Sequence, residues 1–231
     1  MTREKIVIGW SGGKDSAMAL HELRNSGRYD VAAAITTVSK AYDRICIHGV
    51  RRSLLHAQVQ TLGLPLHEVW LSENSSNEEY QAKMDEALAI YKAQGIRRIA
   101  FGDLFLEDIK AYRDQNLARI GMEGVYPIWK RDTRELAETV IKLGYKVVLT
   151  CVDTKVLDSS FVGRTFDESL LADLPSTIDP CGENGEFHTF VWEGPIFKKP
   201  VPIQLGETVI RGRFAFRDLV EERLTADSTG L

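Results

Sequence analysis

The chain has 231 residues, 44% hydrophobic and 27% charged, with 29 basic residues against 33 acidic ones and a formal net charge of −4. That is enough to bury a full core in one large domain, or in a domain with an appendage, and it leaves no global cationic field for holding a polynucleotide. The three cysteines, Cys46, Cys151 and Cys181, are far apart and form no C-x-x-C pair, so neither a zinc ribbon nor a chelating iron–sulfur loop is supported. No window approaches the ~20 apolar residues of a membrane span, and no amino-terminal apolar stretch is long enough for a signal peptide. A cytoplasmic protein with reduced thiols is expected, with disorder confined to the small, polar stretch 225–231.

The first element is an uninterrupted β-branched run over residues 5–9, the character of a strand buried on both faces. Ala17, Leu20 and Leu23 then recur at helical spacing. Between the two lies S-G-G-K-D-S, where Gly12 and Gly13 let backbone N–H groups approach an anion and the helix start adds unpaired donors and partial positive charge. Such a turn suits a phosphate. It is not a Walker A loop, because Asp15 stands where the magnesium-binding hydroxyl should follow Lys14 and Ile8 stands at the first glycine.

Strand and helix patterns alternate from there. Residues 29–37 form a second apolar run whose polar carboxyl end, Ile35, Thr36 and Thr37, is expected on the ligand side of a doubly wound sheet as a wall for a base; an ordinary strand end is the equal alternative. Leu54, Leu55, Val59 and Leu62 mark a helix over residues 51–62. His48 precedes it, either as a phosphate or ribose contact or as a loop histidine making ordinary hydrogen bonds. A third strand over 65–71 leads to a long amphipathic helix on Tyr80, Met84, Ala87, Leu88 and Tyr91, stopped by Gly95. A fourth strand, 98–102, ends at Asp103, and the helix after it carries Leu106, Ile109, Arg113 and Leu117 near one face. A strand over 125–129, a helix on Leu136, Val140 and Ile141, and a strand over 145–152 complete an alternation that predicts an α/β fold, a doubly wound, mostly parallel sheet covered on both faces.

Beyond residue 153 the rhythm changes to a short helix over 166–174, turn chemistry at Asp179-Pro180 and several strand-like pieces. This predicts a smaller mixed α+β lobe over 153–231 behind a nucleotide-binding domain over 1–152. In it, D-P-C-G-E-N-G-E-F-H-T-F places Glu183 and Glu186 around an Asn-Gly turn, with Glu186 and His188 on one face at period two. The cluster could hold a cation, orient an amine or exchange a proton; the plain alternative is an acidic surface hairpin.

Residue for residue, Ser11, Gly12, Gly13, Lys14, Asp15 and Ser16 resemble the PP-loop, S-G-G-x-D-S, of the N-type ATP pyrophosphatases. The resemblance implies an adenine nucleotide alpha hydrolase-like fold and cleavage of ATP between its α- and β-phosphates. Together with G-D-L-F-L-E-D-I-K-A-Y-R-D and C-G-E-N-G-E-F-H-T, the chain is similar to the diphthine–ammonia ligase (diphthamide synthase) family. That implies an enzyme that adenylates a carboxylate and aminates it with ammonia, on an acceptor that in known members is a modified histidine of an elongation factor. The resemblance puts Gly102, Asp103, Glu107, Tyr112, Arg113, Glu183, Glu186 and His188 on the ATP or substrate side.

Backbone donors of Gly12 and Gly13 with the Lys14 ammonium would then stabilise departing pyrophosphate, and Asp15 would contact Mg²⁺. Lying in a turn with nothing apolar to cover, Lys14 is expected to matter little to the fold. Rival readings are a PP-loop enzyme acting on an RNA base, a small-metabolite amide ligase and an ATP-binding sensor without turnover. No membrane partner and no strong nucleic-acid signal is expected, and a homodimer is allowed for.

Overall fold

A computed structural model describes residues 2–222; the stretch 225–231, expected to be disordered, lies outside the described residues. The elements in chain order are β1 (Glu4–Gly9), α1 (Lys14–Asn25), β2 (Tyr29–Ser39), β3 (Arg44–Ile45), α2 (Arg52–Leu62), β4 (Leu66–Leu71), α3 (Asn77–Ala93) and β5 (Arg98–Ala100). They continue with α4 (Glu107–Arg119), β6 (Glu123–Val125), α5 (Thr133–Lys142), β7 (Lys146–Asp153), α6 (Glu168–Asp173), β8 (Phe187–Glu193), β9 (Ile203–Arg211) and β10 (Phe214–Glu221).

The parallel strands pair in the order β4-β2-β1-β5-β6. The chain winds outward from β1 to one edge, returns, and winds to the other, so the switch point falls between β1 and β5. Carboxyl ends of strands at such a point open a crevice, because the loops leaving them diverge. The long β2 runs past the end of β1, and the two-residue β3 pairs antiparallel with that overhang at Val38 and Ser39. One face of the sheet is covered by α3 and α4 through Met84, Ala87, Leu88 and Leu117, packed on Val7, Ile35, Ile99 and Phe101. The other is covered by α1, α2 and α5.

A second, antiparallel sheet has the order β8-β7-β10-β9. It packs over the first helical layer, α1 against β8 and α2 against β10. One hydrophobic core therefore runs from Ile6 and Leu20 through Leu54 to Val147, Phe187 and Phe190.

Two expectations are corrected. Strand β7 belongs to the antiparallel sheet, not to the parallel one; its apolar run reports burial on both faces but not the direction of its neighbours. Beyond β6, residues 126–129 form a turn rather than a strand.

Phe190 is fully buried, and its ring lies 3.4 Å from where a Cβ on Gly12 would sit. Phe190→Ala should lower the unfolding free energy by about 3–5 kcal/mol, the usual cost of deleting a buried phenyl ring. Urea denaturation should show this as a lower midpoint with an unchanged slope; a midpoint equal to the parent's would mean the layer beneath the loop is not packed as described.

Candidate active site

The S-G-G-K-D-S turn leaves β1 at the switch point, with Gly12 at φ +81° and Gly13 as the N-cap of α1 without a side-chain cap. Gly102, just past β5, approaches from the adjacent strand. A Cβ there would stand 2.7 Å from the Asp15 carbonyl carbon and oxygen and 2.9 Å from the Ser16 nitrogen. These are backbone atoms that cannot yield, so only glycine lets β5 close on the first turn of α1. A cavity of about 560 Å³ opens here. Ser11, Lys14, Asp15, Ser16, Ile35, Thr36, Thr37, His48, Gly102, Asp103, Tyr112, Arg113, Glu183 and His188 all line it.

The parallel sheet supplies the floor and the antiparallel one supplies Glu183 and His188 from the loop before β8 and its start. Direct bonds tie the two. Val191 N–H donates to the Gly12 carbonyl at 2.9 Å, Lys14 N–H to Thr189 Oγ1 at 3.1 Å, and the His48 ring meets the Thr189 carbonyl at 3.0 Å. Since a carbonyl only accepts, His48 Nδ1 carries the proton and Nε2 keeps a lone pair.

Lys14 is placed otherwise than the sequence suggested. Its side chain is 2% exposed; the ammonium bonds Asp15 Oδ2 at 3.0 Å and the Cys181 carbonyl, and lies over the Phe187 and Phe166 rings at 5.3 and 5.7 Å. Burial works against its charge, but Asp15, Cys181 and Glu183 outweigh it and hold the ammonium above the ordinary lysine value. Lys14 thus has apolar surface to cover and fastens α1 to the second sheet.

Burial pushes the Asp15 carboxyl up while Lys14 pulls it back. Its Oδ1 is closed off from solvent with no hydrogen-bond partner among the described residues. Such an oxygen, beside a phosphate loop, fits a Mg²⁺ held by one carboxylate together with phosphate oxygens. Among the described residues no cluster of three or more His, Cys, Asp or Glu could hold a metal by itself.

Glu183 Oε1 accepts from Leu104 N–H at 2.7 Å. Burial raises its pKa to about 7, with Asp15 and Asp103 adding to the rise against the Leu104 bond and Lys14. The His48 and His188 rings lie 4.8 Å apart. Burial, together with Lys14, lowers His48 to about 4, and burial, His48 and Lys14 lower His188 well below its ordinary value. Near neutrality both imidazoles are uncharged. On the far wall Arg113 meets Asp103 Oδ2 at 3.1 Å and stacks on Phe101 at 4.3 Å.

Gly12 and Gly13, expected to contact the nucleotide, are not on the cavity wall; a side chain on either would point at Gln58, Phe190, His48 or Thr189. Glu107 is not brought to the cavity wall and pairs with Lys130 at 2.9 Å. Glu186 is not there either; its Oε1 accepts from Asp179 N–H at 3.1 Å and Asn184 Nδ2 at 3.0 Å, so it closes the loop that presents Glu183. Gln58 and Thr189 were missed. Gln58 had a signal, since it is a polar residue four positions after Leu54 and four before Leu62 on the apolar stripe of α2.

A glycine-serine turn at the switch point of a parallel sheet, a free carboxylate oxygen beside it and a second sheet closing the cleft define an α/β protein with a cleft suited to a phosphate. The N-terminal domain model of diphthamide synthase matches residues 4–124 and its C-terminal domain model matches residues 132–221. The chain belongs to the diphthamide synthase family. Relatives include the diphthine–ammonia ligases of Danio rerio, 27% identical over 91% of this chain and 91% of that protein, and of Homo sapiens, 25% identical over 89% and 85%. That of Schizosaccharomyces pombe is 26% identical over 89% of this chain, which spans 37% of that protein's length. A solved structure of a U34-tRNA thiolase from Methanococcus maripaludis aligns at a TM-score of 0.38 and 15% identity, covering 61% of this chain and 58% of that one.

Lys14→Ala should lower the unfolding free energy by about 1.5–3 kcal/mol, the scale of a charged hydrogen bond lost in an interior. Lys14→Met, which keeps the apolar stem over Phe166 and Phe187, should recover part of it. Urea melts of the three proteins measure this, and an unshifted Lys14→Ala midpoint would restore the view of Lys14 as a turn residue without structural weight.

Proposed function

We propose that the chain is an ATP-dependent carbon–nitrogen ligase. A substrate carboxylate oxygen attacks the α-phosphorus of ATP and pyrophosphate leaves; ammonia then adds to the acyl carbon of the adenylate, and amide, AMP and a proton result. The observation that carries this reading is the single cleft in which the S-G-G-K-D-S turn faces Glu183 and His188 from the other sheet. The phosphates lie over Ser11–Ser16 and the base near Ile35, Thr36 and Thr37. Mg²⁺, held at Asp15 Oδ1, would neutralise charge on the phosphate oxygens as pyrophosphate departs. Lys14 contributes a fixed positive charge just beneath the loop rather than a mobile contact.

As nitrogen bonds to the acyl carbon its protons become acidic, and Glu183, ionised above about pH 7, accepts one. His188 and His48, uncharged, would not repel an ammonium ion arriving at the cleft. Asp103, Tyr112 and Arg113 border the acceptor, which we assign to the substrate that the relatives' names give, diphthine. Glu186 acts by shaping the Glu183 loop.

The chain works as two units, and we move their boundary from residue 152 to the segment before α5, because β7 pairs within the second sheet. All the groups invoked come from one chain, so a homodimer would repeat the site rather than complete it. No described helix is long and apolar enough to cross a membrane, and the three cysteines are free thiols, which suits the cytoplasm.

The deciding experiment adds ATP, Mg²⁺ and ammonium to the protein with fractions containing protein, RNA or metabolites, and measures pyrophosphate and AMP. Release with the protein fraction, dependent on ammonium for the amide, is expected. Release with RNA or metabolites would transfer the chemistry to another acceptor, and tight ATP binding without release in any fraction would make the protein a sensor.

The pH dependence follows from Glu183. At fixed free ammonia, log kcat should rise through about pH 7 and level off above it, since only the ionised carboxylate accepts a proton. Glu183→Gln should lose that step and turn over at least about tenfold more slowly at pH 8. A variant with the parent's profile would remove Glu183 from the proton transfer.

A further inference from the structure

Gln58 lies on α2, outside every motif above, and is completely buried. Its Oε1 accepts from Trp10 Nε1 at 2.8 Å, and its Nε2 donates to the Gly12 carbonyl at 3.0 Å and to the Val191 carbonyl at 2.6 Å. The amide has one orientation only, because an indole N–H must donate and two carbonyls must accept. One side chain thereby joins the end of β1, the phosphate loop and β8.

The consequence lies in the Gly12–Gly13 peptide. Gly12 is at φ +81°, its carbonyl drawn inward by Gln58 Nε2 and Val191 N–H. In a planar trans peptide the following N–H points the opposite way. The Gly13 N–H accordingly points away from Gln58, to Ser11 Oγ at 3.3 Å, a long bond to a residue that lines the cleft. A glycine-glycine peptide flips at little steric cost. A flip here would turn an oxygen, not a donor, toward an anion in the cleft.

We propose that Gln58 is a positioning residue for the phosphates of the nucleotide: by holding the Gly12 carbonyl inward from a second structural layer, it keeps the Gly13 N–H presented to a phosphate oxygen. This rests on the reading of the turn as the site of the ATP phosphates. Gln58 bonds the phosphate loop directly and reaches the base wall only through Trp10, whose backbone bonds Ile35 and Thr36, so the larger effect falls on phosphate.

The test compares ATP and adenosine binding by calorimetry, in the full chain and in Gln58→Met, which fills the space without donors or a carbonyl. Both are measured well below the variant's melting temperature. The expected result is an ATP affinity at least about tenfold weaker with adenosine affinity within twofold of the parent. Equal losses for both ligands would mean that Gln58 only supports the fold, and unchanged ATP affinity would mean that the peptide keeps its orientation unaided; either overturns the proposal. Should Gln58→Met not fold, Gln58→His, with one ring donor and one acceptor, is judged by the same ratio. A parent that binds adenosine and ATP equally well would instead overturn the phosphate reading of the turn, and the positioning role with it.

Discussion

The attachment of a phosphate-type loop to a strand of a different sheet constrains the rest of the molecule. The Gly12 carbonyl is bonded to Val191 N–H, Lys14 N–H to Thr189, and the Lys14 ammonium to the Cys181 carbonyl. The two neutral bonds are worth only about 0.5–1.5 kcal/mol net each and the charged one about 1.5–3 kcal/mol, but an unmade one in the interior costs about 1–3 kcal/mol. Moving the sheets apart would break several at once and expose Phe166 and Phe187, over which the ammonium lies. The loop's shape is therefore a property of both sheets.

The parallel sheet was legible because strands buried on both faces alternate with helical stripes, and that order leaves little choice of topology. The place of β7 was not, because V-V-L-T-C-V describes its burial equally well between parallel or antiparallel neighbours. The phosphate turn was legible because its chemistry is local, six consecutive residues at the end of a strand. The burial of Lys14 depends on Phe166, Cys181 and Phe187, more than 150 positions away, and no periodicity near residue 14 carries that information. Glu183 and Glu186 read alike in sequence, yet one loop turns the first into the cleft and uses the second to close itself.

Electrostatically the cleft separates two tasks. Around the loop, Lys14 is fixed as a cation and Asp15 presents one unsatisfied oxygen, an arrangement for polyphosphate with a divalent ion. Beside it, burial keeps His48 and His188 uncharged and raises the Glu183 pKa to about 7. Cationic histidines there would bind phosphate as well as the loop does and would repel ammonium.

The two matched family segments, 4–124 and 132–221, divide the chain at the connection before α5, but the physical division is weaker than the evolutionary one. One hydrophobic core passes through both segments. Gln58, from the first segment, bonds backbone in both, at Gly12 and at Val191. Hinge opening between the segments would take the Val191 carbonyl from that amide and the Cys181 carbonyl from the Lys14 ammonium, a cost of about 1–3 kcal/mol for each bond left unmade. The loop and β8 are therefore held joined. On the proposed reading of the turn, this rigidity has a chemical return: donors held in place before the nucleotide binds need no rearrangement as charge accumulates on a leaving group.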